Sequence, residues 1–229
     1  MGDSVRRIEA TENGPYGVFG RVDLVRVGVL SEGGHPIEWQ EPAAVDTSGE
    51  ADDEGTYWLC RCGRSGNKPF CDGSHKSGPQ PFDGTEAAPT DSYEARARVM
   101  QGHGVQVRDD RGICEHTGFC MRADTNVWKM VRSDDADVVE QMVAMVDHCP
   151  SGALTHRTDG DRVDDEPDLP QRILIVDDGP LWVTGGVPVD RADGADLQTR
   201  NRMTLCRCGA SKFKPLCDGS HAEVGFTDS

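Results

Sequence analysis

Cys60-Arg61-Cys62-Gly63-Arg64-Ser65-Gly66-Asn67-Lys68-Pro69-Phe70-Cys71-Asp72-Gly73-Ser74-His75 places four soft metal ligands within sixteen residues. The chain does this twice. Cys206-Arg207-Cys208-Gly209-Ala210-Ser211-Lys212-Phe213-Lys214-Pro215-Leu216-Cys217-Asp218-Gly219-Ser220-His221 repeats the pattern at identical internal spacing. Cys60 and Cys62 are two apart, so in an extended segment both thiolates project to one side. Cys71 and His75 are four apart, one helical turn, and Asp72 is placed to N-cap that turn. Gly73 lets the backbone lie close to a bulky inorganic core, and Pro69 stiffens the approach to Cys71. Three cysteines and one histidine are a set that structural zinc accepts. The single residue between the paired cysteines suits two ligands on one iron of a two-iron core. Spacing alone leaves both readings open.

Both stretches resemble the CDGSH iron-sulfur domain of the NEET protein family, whose signature is C-x-C-x2-(S/T)-x3-P-x-C-D-G-(S/A/T)-H; every position is met in both copies. The resemblance implies one 2Fe-2S cluster on Cys60, Cys62, Cys71 and His75 and a second on Cys206, Cys208, Cys217 and His221, with the histidine side facing solvent. It also implies a carrier of electrons or a donor of the cluster itself. Ser65 and Ser211 hold the family's Ser/Thr position, where a hydroxyl donating to cluster sulfur raises the reduction potential; an ordinary turn serine is the alternative. Arg61 and Arg207, between the paired cysteines, either favour the reduced cluster by their charge or point outward into water. An imidazole in place of a thiolate is expected to raise the potential, to make it pH-dependent and to let acid labilise both clusters.

A chain of 229 residues holds one or two ordinary domains. With 36% apolar residues and 27 glycines its cores are thin, and metal centres would act as staples. Nine cysteines would form disulfides in a secreted protein, but Met1 to Arg7 leads into no apolar leader, which predicts a reducing cytoplasm. No apolar run reaches the length of a membrane span, so no membrane partner is expected. A formal charge of −16 argues against nucleic acid, keeps the chain soluble and favours basic or locally positive redox partners.

Residues 8–25 contain a turn, Asn13-Gly14-Pro15, followed by alternating apolar residues that read as strand. Asp178-Gly179-Pro180-Leu181-Trp182-Val183 echoes it behind the apolar run Ile173-Leu174-Ile175-Val176, so the repeat is a whole unit. Residues 31–55 read as a surface loop, and 76–90, with Pro79, Pro81 and Pro89, as a linker. The expected fold is α+β: a discontinuous, mostly β NEET-like pseudo-dimer, monomeric, with an inserted ferredoxin-like domain. The bounds are 1–90, 91–160 and 161–229.

In the insert, Val105 and Val107 predict a strand and 127–131 another. Ser133 is read as the N-cap of a helix with Asp134, Asp135 and Asp137 in its first turn, running through Val138, Val139, Met142, Met145 and Val146. The Met and Val stripe is core packing. The helix delivers Cys149-Pro150, the way bacterial ferredoxins place a remote cluster ligand. About residues 93–157 resemble the single-cluster ferredoxins: Cys114 and Cys120 occupy the outer places of the run, and the middle place is Thr117. Three thiolates suffice for a 3Fe-4S cluster on Cys114, Cys120 and Cys149. A 4Fe-4S cluster stays open if His116, solvent or another oxygen donor takes the fourth corner. All nine cysteines are then used as three sets of three. His35, His103, His116, His148 and His156 read as structural or surface residues.

No phosphate-binding glycine loop, dinucleotide fingerprint or nucleophile-base pair is present in the sequence, so no enzyme is expected. The expected function is single-electron transfer through three clusters to a redox partner protein. The alternatives are storage or delivery of clusters to an apo-acceptor, redox sensing, and a zinc-stabilised interaction module.

Overall fold

The computed structural model describes residues 5–158, 160 and 163–228. It is mostly small β-sheets with few helices. Strand β1 (Arg7–Ala10) and strand β2 (Tyr16–Phe19) form a hairpin, with Ala10 opposite Tyr16. Asn13 takes the left-handed turn position at φ 49°, a conformation that asparagine tolerates better than most side chains. The chain continues through β3 (Asp23–Val27), β4 (Val29–Glu32), β5 (His35–Trp39), the short β6 (Ala43–Ala44) and β7 (Tyr57–Leu59), the last of which pairs with β2 and leads into Cys60.

The expected surface loop at 31–55 is therefore partly a hairpin, β4 with β5, turned at Gly33 and Gly34, both at positive φ. Its end is anchored by Trp39, whose ring lies 4.7 Å from Phe119 and 4.6 Å from Trp182 and whose Nε1 donates to the His148 carbonyl at 3.2 Å. An aromatic anchor at the end of a Gly-rich, acidic segment outweighs its loop-like composition.

The insert opens with α1 (Tyr93–Arg96), then β8 (Arg98–Gln101) and β9 (Val105–Asp109). Residues 127–131 form a helical turn, α2 (Val127–Met130), and not the expected strand. Asn126 caps it, its Oδ1 accepting from the Lys129 amide at 3.0 Å, and spacing of three and four puts Val127, Met130 and Val131 on one buried face. Helix α3 (Ala136–Asp147) starts two residues later than expected: Asp135, not Ser133, is its N-cap, accepting from Asp137 N at 2.9 Å. Ser133 instead accepts from Asp135 N, one step before the cap. Strand β10 (Leu154–Thr158) closes a sheet in the order β10-β9-β8, whose core includes Val107, Met142, Met145 and Val146.

The second unit repeats the first: β11 (Arg172–Val176) and β12 (Leu181–Thr184) form the hairpin, β13 (Val189–Asp190) follows, and β14 (Arg202–Leu205) leads into Cys206. A final turn, α4 (Ser220–Glu223), carries His221. Asp178, at φ 50°, stands where Asn13 stands in the first hairpin. Each unit gives its third strand to the other. Strand β3 runs parallel to β11, pairing Asp23 with Arg172, and β13 runs parallel to β1, pairing Ile8 with Val189. The two sheets share one core containing Ile8, Tyr16, Val18, Ile173, Leu181 and Leu205, each fully or nearly fully buried and worth about 1.5–3 kcal/mol. Residues 76–90, read as a linker, are a packed strap instead: Phe82 is buried, Ala87 and Ala88 donate to the Lys214 carbonyl, and Glu86 is inside the protein. Among the described residues no helix is long and apolar enough to cross a membrane.

Candidate metal centres

Each Cys-x-Cys follows directly on a strand that ends in a buried leucine. The loop then folds back on that strand. Cys60 N donates to the Pro69 carbonyl at 2.7 Å and Cys71 N to Trp58 at 2.9 Å; in the second copy Cys206 N donates to Pro215 at 2.8 Å and Cys217 N to Thr204 at 2.9 Å. These bonds bring the separated ligands together. The Cys60 and Cys62 sulfurs lie 3.8 Å apart and the Cys71 sulfur 3.5 Å from His75 Nδ1. In the second copy the distances are 3.7 Å for Cys206 with Cys208 and 3.4 Å for Cys217 with His221 Nδ1. Among the described residues no three such side chains close around the point a single ion would occupy. The donors stand as two close pairs in each copy, thiolate and imidazole ligands of the kind that iron-sulfur centres use.

Backbone amides point at the sulfurs: Arg64 N at Cys62, Gly73 N at Cys71, Ala210 N at Cys208 and Gly219 N at Cys217, at 3.4 to 3.5 Å. Amide donors stabilise a thiolate, the form that binds metal. Within each close pair, one thiol hydrogen-bonds the other, which favours ionisation at Cys60 and Cys206 and opposes it at Cys62 and Cys208. Burial pushes the Cys71 and Cys217 thiols up.

The expected serine contact is corrected. Ser65 Oγ donates to the Phe70 carbonyl at 2.7 Å and accepts from Asn67 N, and Ser211 Oγ donates to Leu216 at 2.6 Å and accepts from Phe213 N. A hydroxyl has one proton, and here it braces the loop; the sulfurs are served by the main chain. Asp72 is not the expected N-cap, and its counterpart Asp218 is not one either. The cap positions are the left-handed Gly73 and Gly219, while each aspartate bridges the two arms of its loop, Asp72 accepting from Ser74 N and Gly66 N, and Asp218 from Ser220 N and Lys212 N. The hydrogen bonds from Ser74 lead those that hold Asp72 at about 2.

Arg61 and Arg207 point inward and are buried. Arg61 donates to the Thr11 and Gly84 carbonyls and pairs with Glu86; Arg207 donates to the Gly179 and Val176 carbonyls and pairs with Asp228. Phe82 N and Phe226 N each donate at 3.0 Å to the carbonyl of the motif histidine before them, His75 and His221. The segment after each motif thus ties its histidine to its Cys-Arg-Cys arginine. Glu86 and Asp228 escaped sequence reading because they stand at different distances from their histidines; a buried arginine demanding a carboxylate was the available signal.

The two motif loops touch. A Cβ on Gly63, at φ 75°, would lie 2.5 Å from the Cys208 carbonyl oxygen, and one on Gly209, at φ 82°, would lie 2.8 Å from that of Cys62. Tyr16 of the first hairpin donates to the Cys206 carbonyl at 2.8 Å.

In the insert, Cys114, Cys120 and Cys149 line one cavity together with Thr117 and His116. Burial, then the neighbouring Cys149 and Cys114, push Cys120 up to about 11, and burial raises Cys114. Arg111 Nη1 is 3.6 Å from Cys114 Sγ and Ser151 Oγ 3.7 Å from Cys149 Sγ. The loop leans on the second motif: a Cβ on Gly219 would meet the Glu115 carbonyl at 2.9 Å and the His116 ring at 3.3 Å. Glu115, which sequence reading passed over, is buried, and burial pushes its carboxyl up to about 7. His148 is structural: it stacks on Phe119 and its Nε2 meets Glu38 at 2.9 Å. His156 is buried between Asp147 and Asp165.

The family model described as "Iron-binding zinc finger CDGSH type" matches residues 13–76 and again 178–222. The chain belongs to this CDGSH family. Between the two CDGSH copies, residues 100–159 match the model described as "Divergent 4Fe-4S mono-cluster". Among curated proteins the chain is similar to "Uncharacterized protein YjdI" of Escherichia coli strain K12 and to its counterpart in Escherichia coli O157:H7; each is 34% identical over 65 residues, spanning 26% of this chain and 84% of that protein. No solved structure matches the chain. The donor chemistry and the family together make this an iron-sulfur protein.

Proposed function

We propose that the chain is an electron carrier, not a catalyst, with three iron-sulfur centres in a row. Cys60, Cys62, Cys71 and His75 would hold one 2Fe-2S cluster, and Cys206, Cys208, Cys217 and His221 a second. Cys114, Cys120 and Cys149 would hold a 3Fe-4S cluster, with Thr117 in the place where a ferredoxin carries its further thiolate. Such clusters, when bound, take up and release one electron at a time. The chain's own part is to orient the ligands, donate amide hydrogen bonds to their sulfurs and keep the pockets close together. The observation that carries the proposal is the close backbone approach of neighbouring motif loops: Glu115 against Gly219, and Gly209 against Cys62 with Gly63 against Cys208. That approach orders the sites as insert, second copy, first copy. We further infer that the exchanged strands β3 and β13 make the two copies an internal pseudo-dimer.

The test is metal and acid-labile sulfide analysis with EPR on anaerobically purified protein. The expected content is about seven iron and about eight sulfide per chain, with two reducible 2Fe-2S signals and one signal of the oxidised 3Fe-4S type. Colourless protein carrying zinc without sulfide would overturn the proposal.

A further inference from the structure

Four of the five lysines of this acidic chain, Lys68, Lys76, Lys212 and Lys214, lie in or directly beside the two CDGSH motifs; the fifth is Lys129. Elsewhere several cations pair with carboxylates, Arg26, Arg96, Arg108, Arg157 and Arg202 among them, while others such as Arg122 and Arg200 donate to backbone carbonyls. At the mouth between the motif loops the cations meet no carboxylate among the described residues. Arg64, Lys68 and Lys214 line an open cleft there, on whose wall Cys62 and Cys208 also stand, one candidate ligand from each copy. Arg64 Nη1 donates to the Ser77 and Gln80 carbonyls at 3.2 and 2.8 Å, Lys214 Nζ to the Ser211 carbonyl at 2.8 Å, and Lys68 Nζ lies 5.8 Å from the centre of the Phe226 ring.

Among the described residues none of these three cations is within salt-bridge distance of a carboxylate. Asp83 is the one acid lining the cleft, and Thr85 already bonds it; Thr85 first and Lys214 last hold its carboxyl below the usual range. With 40 acidic residues in the chain, carboxylates are abundant, so the local charge at this mouth runs against the global one. Val224, 56% exposed, adds an apolar edge beside the cations.

We propose that this cleft is the docking surface for a small acidic electron-carrier protein, which meets the chain at Cys62 and Cys208. The inference rests on the carrier function proposed above and reverses the partner charge expected from the chain as a whole. The physical reason is range. At about 0.1–0.15 M salt the Debye length is about 8–10 Å, so distant acidic surface is screened while the cations of the cleft act on whatever enters it. An imidazole in place of a fourth thiolate lowers by one the negative charge that each bound cluster adds behind those cations. A long polyanion such as nucleic acid would run out of the cleft onto acidic surface, whereas a compact acidic patch would not.

The probe is a small acidic 2Fe-2S ferredoxin, used with the cluster-loaded full chain. In Lys68→Glu/Lys214→Glu, both the calorimetric affinity and the second-order rate of reduction by reduced ferredoxin should fall roughly tenfold or more at about 50 mM salt, converging on wild type near 0.5 M. Lys68→Gln/Lys214→Gln should lie between, and Lys129→Glu should match wild type. An unchanged visible spectrum in each variant shows that the pockets are intact. Equal affinities and rates for wild type and the charge-reversed variant at low salt would overturn the docking surface. So would a duplex DNA, or a second copy of the chain, binding through the same lysines more tightly than the ferredoxin. Reduction by dithionite alone separates the two levels: no electron uptake overturns the carrier function, while uptake together with indifference to the lysines overturns the docking surface only.

Discussion

The two CDGSH copies are one design realised twice in one chain, and their differences show which parts do the holding. Each has a hairpin, a strand leading into Cys-Arg-Cys, a loop returning to that strand, and a following strap whose phenylalanine bonds the histidine carbonyl. Each strap carboxylate also meets an arginine borrowed across the exchange. Glu86 pairs with Arg61 and with Arg191, just after β13, and Asp228 pairs with Arg207 and with Arg26 in β3. The strap lengths differ, yet the bonds made are the same, so the bonds and not the spacing define the unit. The copies part in their surroundings. The insert covers the second motif, leaving Cys217 buried where Cys71 is half-buried, and the second histidine, His221, has its ionisation held down by burial and then by Arg207. The first strap lies inside the chain; the second is near its end.

The largest test of this likeness is removal of a strap carboxylate. Glu86 and Arg61 have side chains 1% and 0% exposed, so Glu86→Ala strands a buried guanidinium and should cost about 3–5 kcal/mol by denaturant unfolding. Asp228, with a side chain 16% exposed, leaves Arg207 nearer to water, so Asp228→Ala should cost less. Equal costs would mean that the exposure of the carboxylate does not set its worth. A middle-sized effect belongs to the glycines where the copies touch. Gly63→Ala combines positive φ with a Cβ 2.5 Å from a carbonyl oxygen and should cost about 1–3 kcal/mol, more than Gly209→Ala, whose Cβ would sit at 2.8 Å. Thermal midpoints of the two variants check the order, and the reverse order would show the loops free to separate.

The cysteine-histidine motifs were legible because metal donors need fixed spacing, and spacing is written in a sequence; the structure brings their side chains together in pairs. The duplication was legible too, down to the Asn13 and Asp178 turns. What was not legible depends on partners distant in the chain. Residues 127–131 look like a strand until Asn126 caps a turn, and residues 76–90 look like a linker until Glu86 finds two arginines more than 20 residues away. Ser65 stands where it could face a sulfur, but which acceptor takes its proton is decided by how the loop folds back, and the Phe70 carbonyl takes it at 2.7 Å. Parallel pairing of β3 with β11 joins residues almost 150 positions apart, which no local pattern records.

The smallest effect, and the one that isolates the second strap, is the pH dependence of the Asp228 contribution. Hydrogen bonding and charge from Arg207, the Asp178 amide bond and Arg26 outweigh burial and hold this carboxyl at about 2, below the ordinary aspartate value. A depressed carboxyl contributes stability that is fully present above its unfolded value of about 3.9 and is lost as pH falls through the folded one. The difference in unfolding free energy between wild type and Asp228→Asn, both in the same cluster state, should therefore be constant from about pH 8 to 5, shrink between about pH 4 and pH 2, and vanish below. The sign follows from proton counting: below pH 4 the unfolded chain binds the proton that the folded one still refuses, so lowering the pH favours unfolding of wild type and not of the variant. A difference that persisted undiminished below pH 2 would show that Arg207 is held by its backbone carbonyls alone, and that the carboxylate shared by the two copies is incidental to the second.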